Sequence, residues 1–155
     1  MRSVELEQSR TFPVPVPEAF ERVLAAPLEQ VFARRYGALP PVRGVHDQDG
    51  AWGTVGQTRV IALGDGGSMR ERLTSVVSDS RFDYVVEDVT GPMRALVDSL
   101  EGTWAFAPAG TGVRITWAWT VHPRGRFGAL AMPAFARLWR GYARQAMEQI
   151  ESLIV

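Results

Sequence analysis

The sequence contains no cysteine and no lysine. Without cysteine there can be no disulfide, no thiolate metal ligand and no cysteine nucleophile. All 17 basic residues are arginine, which, with frequent Ala, Gly, Val and Pro, reads as a bias towards GC-rich codons. Seventeen acidic residues cancel them, so no global field draws the chain to nucleic acid or to an anionic membrane. No apolar run approaches the ~18 residues of a membrane span, and the opening "MRSVELEQSR" is polar and alternating, unlike a signal peptide. The two histidines, His46 and His122, lie far apart with no matching pattern of carboxylates, a weak basis for a metal site. "GDGG" leads into a strand where a phosphate loop would need a helix, and no Gly-x-Ser-x-Gly elbow is present. The expectation is a cytoplasmic chain with no cofactor, no metal, no nucleic-acid partner and no integral membrane association.

What is present is ordinary globular usage, 46% apolar and 22% charged over 155 residues. That length suits one domain, residues 1–155, with a real core. Ser3 to Phe12 alternates as a half-buried strand. "PVPVPEAF" stops it, and Pro17 opens a short helix with Ala19, Phe20, Val23 and Leu24 on its apolar stripe. Pro27 ends that helix, "LEQVFARRYG" supplies a second, and 38–53 reads as a loop rich in Pro, Gly and Asp. From Thr54 the period becomes two, giving strands near 54–63, 68–77, 82–90, 94–107 and 113–122 separated by turn chemistry. Phe127 to Val155 returns to a helical period, with Pro133 either starting or kinking the helix. Arg137, Arg140 and Arg144 form a stripe expected to face solvent.

Charge and size set the strand registers. A four-residue "SDSR" loop puts Arg72 opposite Glu87 and, on the apolar face, Leu73 opposite Val86, Ser75 opposite Tyr84 and Val77 opposite Phe82. A "PAGT" loop puts Trp104 opposite Ile115, Gly102 opposite Trp117 and Leu100 opposite Trp119, the glycine leaving room for an indole. Trp104, Trp117 and Trp119 then share one inward face.

A six-stranded sheet is about 25–30 Å wide, whereas one helix covers about 10 Å. Either the two short helices cover the rest or the sheet curls around its long helix, and in a curled sheet aromatic side chains would line the space between them. Such a space suits a small apolar or amphipathic ligand, but a filled core of packed indoles remains the alternative. Phe82, Tyr84, Val86, Leu73, Leu100 and the three tryptophans are the sheet-side candidates, with Phe135 and Trp139 from the last helix. Asp98 falls on the inward face between Leu96 and Leu100, where a desolvated carboxylate could donate or accept a proton. The simpler placement is a hydrated rim near Arg94. Glu71 and Asp88 come out opposite each other, again most simply at the rim. An exposed sheet edge permits a homodimer without demanding one.

The helix entry "PVPVPEAFERVL" after the first strand, the "GTWAF…VRITWAW" hairpin and the ending "ALAMPAFARLWRGYARQAMEQI" resemble the START-like helix-grip (SRPBCC) superfamily. Within it the polyketide cyclase/dehydrase and lipid-transport group is the nearest in character. The resemblance implies an α+β fold: a curved antiparallel sheet of six to seven strands around a long C-terminal helix, with two short helices after strand 1. It also implies a hydrophobic ligand (lipid, polyketide or aromatic) between sheet and helix, with cyclisation or dehydration there in a minority of members. The superfamily has no universal catalytic residue, so none is assigned.

Overall fold

Alternation of apolar and polar residues builds most of this molecule, and the computed structural model describes residues 2–155. Strand β1 (Val4–Phe12) is followed by helices α1 (Val16–Ala25) and α2 (Leu28–Val31). Strands β2 (Val42–His46), β3 (Thr58–Leu63), β4 (Ser68–Val77) and β5 (Arg81–Glu87) come next, then a 3-10 turn at Pro92–Ala95. Strands β6 (Val97–Ala109) and β7 (Gly112–Pro123) lead into the long helix α3 (Gly125–Ile154). The seven strands form one sheet in the order β1-β7-β6-β5-β4-β3-β2, with every neighbouring pair antiparallel. The sheet is not closed, leaving β1 and β2 as its edges. Helix α3 packs on β1 and β7, and α1 and α2 lie against α3.

The fold is thus the expected open sheet around a terminal helix, with several local differences. The segment 38–53, read as loop, contains the edge strand β2; at five residues and with Gly44 inside, it has too little alternation to announce itself. The second helix is one turn, Leu28–Val31. Residues 92–95 coil as a 3-10 turn, so β6 starts at Val97. Helix α3 begins at Gly125 and runs through Pro133. Pro133 and Ala129 are both exposed, so the carbonyl that loses its i+4 donor at the proline can turn to water.

Two hairpins pair differently from the charge-based registers. The β4–β5 turn is tighter, pairing Val77 with Arg81, and a bulge lies between Leu73 and Ser75, so that Leu73 faces Tyr84 and Val76 faces Phe82. Asp79 at φ 60° makes the tight turn, and Val77 moves to the exposed side. Arg72 lies opposite Val85 yet still reaches Glu87 diagonally at 3.1 Å. In the β6–β7 hairpin, Gly110 and Thr111 form a two-residue loop between Ala109 and Gly112, with Gly110 at φ 60°. Trp104 therefore faces Trp117, Gly102 faces Trp119 and Leu100 faces Val121. The shift is two residues, which preserves the face of every side chain.

Candidate functional site

The inner face of β3–β7 meets α3, α1 and α2 around a cavity whose room for water-sized spheres is about 70 Å³. One water needs about 10–15 Å³ by that measure, so the space would hold roughly five. Its walls are aromatic. Trp104 stacks on Trp117 with centroids 5.3 Å apart and planes 13° off parallel. Trp139 from α3 lies 4.9 Å from Trp117 and 5.7 Å from Trp119. Phe32, just past α2, packs 5.0 Å from Trp117 and stacks on Tyr142 at 5.5 Å. The Tyr142 hydroxyl donates to the Pro40 carbonyl at 2.8 Å, tying α3 to the segment before β2.

Tyr84 organises the inner face. Its oxygen accepts hydrogen bonds from Trp117 Nε1 at 2.8 Å and Trp119 Nε1 at 2.9 Å. Its ring occupies the space above Gly102, its cross-strand partner in β6. The glycine thus makes room for a phenol, where an indole was expected. Burial raises the Tyr84 pKa above that of an ordinary phenol, and the neighbouring Glu71 charge adds to the rise, against the two indole hydrogen bonds.

A buried ion pair interrupts the apolar wall. Arg59 on β3 is opposite Glu71 on β4, Nε donating to Oε1 at 2.6 Å, with the residues only 7% and 4% exposed. Both border the cavity. Burial raises the Glu71 pKa above the usual carboxylate range, more than the guanidinium lowers it. Arg59 also lies 3.9 Å from the ring centroid of Trp52, and it borders a second, outer pocket of about 270 Å³ beneath the 48–52 loop. Gln57 holds that loop: Oε1 accepts from the Gly53 and Thr54 amides, and Nε2 donates to the Asp49 and Ala51 carbonyls.

Of the residues expected at the site, Phe82, Tyr84, Val86, Trp104, Trp117, Trp119 and Trp139 border the cavity. Leu73, Leu100 and Phe135 are buried in the surrounding core and do not line it; the Phe135 ring lies 6.5 Å from Trp119. Asp98 is a correction. A bulge between Val97 and Ser99 makes it an extra residue on β6, so its side chain turns outward, 58% exposed, and pairs with Arg124 at 2.9 Å. The alternation that seemed to point it inward breaks at that bulge. Glu71 and Asp88 are a second correction. Glu71 faces Val86 and Arg59, whereas Asp88 is exposed beyond the end of β5. His122 is half-buried on the outer side, 2.6 Å from Glu101.

Sequence reasoning missed Arg59 entirely, although a signal was there. Arg59 has the parity of Ile61 and Leu63, and Glu71 that of Met69 and Leu73, so opposite charges stood on the apolar faces of consecutive strands. Phe32 and Tyr142 were also missed as cavity residues; their meeting depends on how α2 docks on α3.

The family described as "Polyketide cyclase / dehydrase and lipid transport" matches residues 3–154. No curated protein matches the chain in sequence. Among solved structures, TTHA0849 from Thermus thermophilus is similar at TM-score 0.70 and 19% identity, covering 97% of both chains. Major latex-like protein 151 from Panax ginseng is similar at TM-score 0.68 and 12% identity, covering 100% of this chain and 99% of its own. DynU16, a protein in the dynemicin biosynthetic locus, is similar at TM-score 0.62 and 17% identity, over 95% of this chain and 47% of its own. At these identities the likeness is one of fold.

Proposed function

The chain belongs to the polyketide cyclase/dehydrase and lipid-transport family, and from that premise and the geometry of the cavity we propose that it binds a small hydrophobic or amphipathic molecule between the sheet and α3. The observation that carries this reading is the cavity itself: tryptophans from β6, β7 and α3 border it together instead of interlocking throughout. Binding would draw on burial of apolar area, about 25 cal/mol per Å² before entropic losses. Space for roughly five waters amounts to about 150 Å³ of liquid, which suits a small ring system; a longer chain would have to pass Arg59 towards the outer pocket. Phe82, Tyr84, Val86, Trp104, Trp117, Trp119 and Trp139 are the proposed contact residues. Native mass spectrometry of freshly purified protein, with tryptophan-fluorescence titration using bicyclic aromatics, tests the reading. A retained small molecule or saturable quenching is expected; neither, across the panel, would mean a core that holds no ligand.

A second reading, acid–base chemistry in the same cavity, is favoured by one observation: Glu71 is a buried carboxyl with a raised pKa at the cavity wall. A carboxyl group so placed can exchange a proton with a bound substrate. Asp98, exposed and paired with Arg124, is withdrawn from that role. The test is turnover of a bound poly-carbonyl substrate by wild type and Glu71→Gln; turnover equal in both would remove Glu71 from the chemistry.

A further inference from the structure

Two hydrogen-bond donors at the cavity wall have no acceptor among the described residues. Tyr84 is the first. Its oxygen already accepts from two indoles, which occupies both lone pairs. It donates to none of the described residues, so its own proton is unused. Trp139 is the second: its side chain is 0% exposed, and its Nε1 is buried with no partner. Both residues border the same cavity. They are neighbours, because the Trp139 ring packs on the two indoles that hold Tyr84. Buried donors are nearly always satisfied in folded proteins, and an unmade bond at such a site costs more than a made one returns.

From this juxtaposition we infer that the cavity receives an apolar ligand through one acceptor oxygen without a proton of its own, a ketone, ester or quinone carbonyl, which takes the Tyr84 O–H and the Trp139 N–H. A hydroxyl ligand is a poorer match. Its oxygen could accept, but its proton would find the Tyr84 lone pairs already used and would have to reach past them to Glu71, whose Oε1 already accepts from Arg59. The inference rests on the reading of the cavity as a ligand site and adds the chemistry that site selects.

The test compares 1-indanone with indane, which differ by the carbonyl alone. Water solvates the ketone, so a purely apolar cavity ranks indane first. Two preplaced donors reverse the order, with 1-indanone expected to bind at least about fivefold tighter by fluorescence titration. The bound carbonyl's infrared stretch is expected below its value in hexane. Trp139→Phe is expected to lower the ratio of 1-indanone to indane affinity by about fivefold, whatever the smaller ring does to the affinity for both. If that variant does not fold, the wild-type infrared band decides alone. Indane binding as tightly as 1-indanone, or a hexane-like band, overturns the carbonyl assignment while leaving the ligand-site reading standing. Binding of neither compound overturns both.

Discussion

The phenol of Tyr84 lies across the backbone of Gly102, in the space a Cβ at that position would fill. The two residues are directly paired between β5 and β6. On the far side of Gly102, β7 supplies Trp119, whose indole bonds to the same phenol. The absence of one side chain in the middle strand therefore lets a residue from β5 reach two indoles on β7. Gly102→Ala would push the ring away from both. The ring is buried and held by two bonds, so it cannot yield cheaply, and a loss of about 2–4 kcal/mol is expected from overpacking and broken hydrogen bonds together. Urea denaturation measures it; a midpoint within experimental error of wild type would show that the phenol has another place to go.

Tyr84→Phe isolates the polar part of the same arrangement. It keeps the ring over Gly102 and removes only the oxygen, leaving the Trp117 and Trp119 N–H groups buried without an acceptor. Each such donor costs about 1–3 kcal/mol, so a loss of about 2–6 kcal/mol and a blue shift of tryptophan emission are expected. An unchanged melting temperature would mean that the indoles find other acceptors.

Asp98→Asn should do very little. The carboxylate is more than half exposed, and its pair with Arg124 is of the surface kind, worth about 0–1 kcal/mol. Affinity for a cavity ligand should stay within about twofold of wild type, given how little such a surface change transmits. A larger loss of binding would put Asp98 back at the cavity, against its position on the bulge.

How much of this could be read from the chain follows from what sets each feature. Strand faces depend on parity alone, so Trp104, Trp117 and Trp119 fall together even when the hairpin register is off by two. Asp98 shows the limit: one extra residue between Val97 and Ser99 reverses the parity beyond it, and nothing in "LVDSL" marks the bulge. Register depends on turn geometry, and the φ of 60° at Asp79 and at Gly110 shortened loops that composition suggested were longer. The Tyr84 arrangement needed three strands at once, since its partners come from β6 and β7, which pairwise reasoning does not assemble. The Arg59–Glu71 pair was legible in parity and went unread, because charged residues near a turn are usually solvated.

That ion pair carries the last prediction. In the wild type, burial raises the Glu71 carboxyl above its ordinary 4.5, and the Arg59 guanidinium partly offsets the rise. Arg59→Met removes the offset and leaves burial alone, so the carboxyl rises further. A carboxyl whose folded pKa lies above its unfolded value holds its proton more tightly in the folded state. Its contribution to stability is then complete below the unfolded pKa and is lost as pH rises through the folded one. The deficit of Arg59→Met relative to wild type should therefore widen with pH across the range above the ordinary 4.5, reaching about 3–5 kcal/mol where the orphaned carboxylate is forced to ionise. Urea titrations across that range measure it. Adding Glu71→Gln, which removes the titrating group but keeps an oxygen at the same place, should flatten the dependence. A deficit that is the same at both ends of the range would mean that water reaches Glu71 once the arginine is gone, and that Arg59 holds the wall through its stacking on Trp52 more than through its charge.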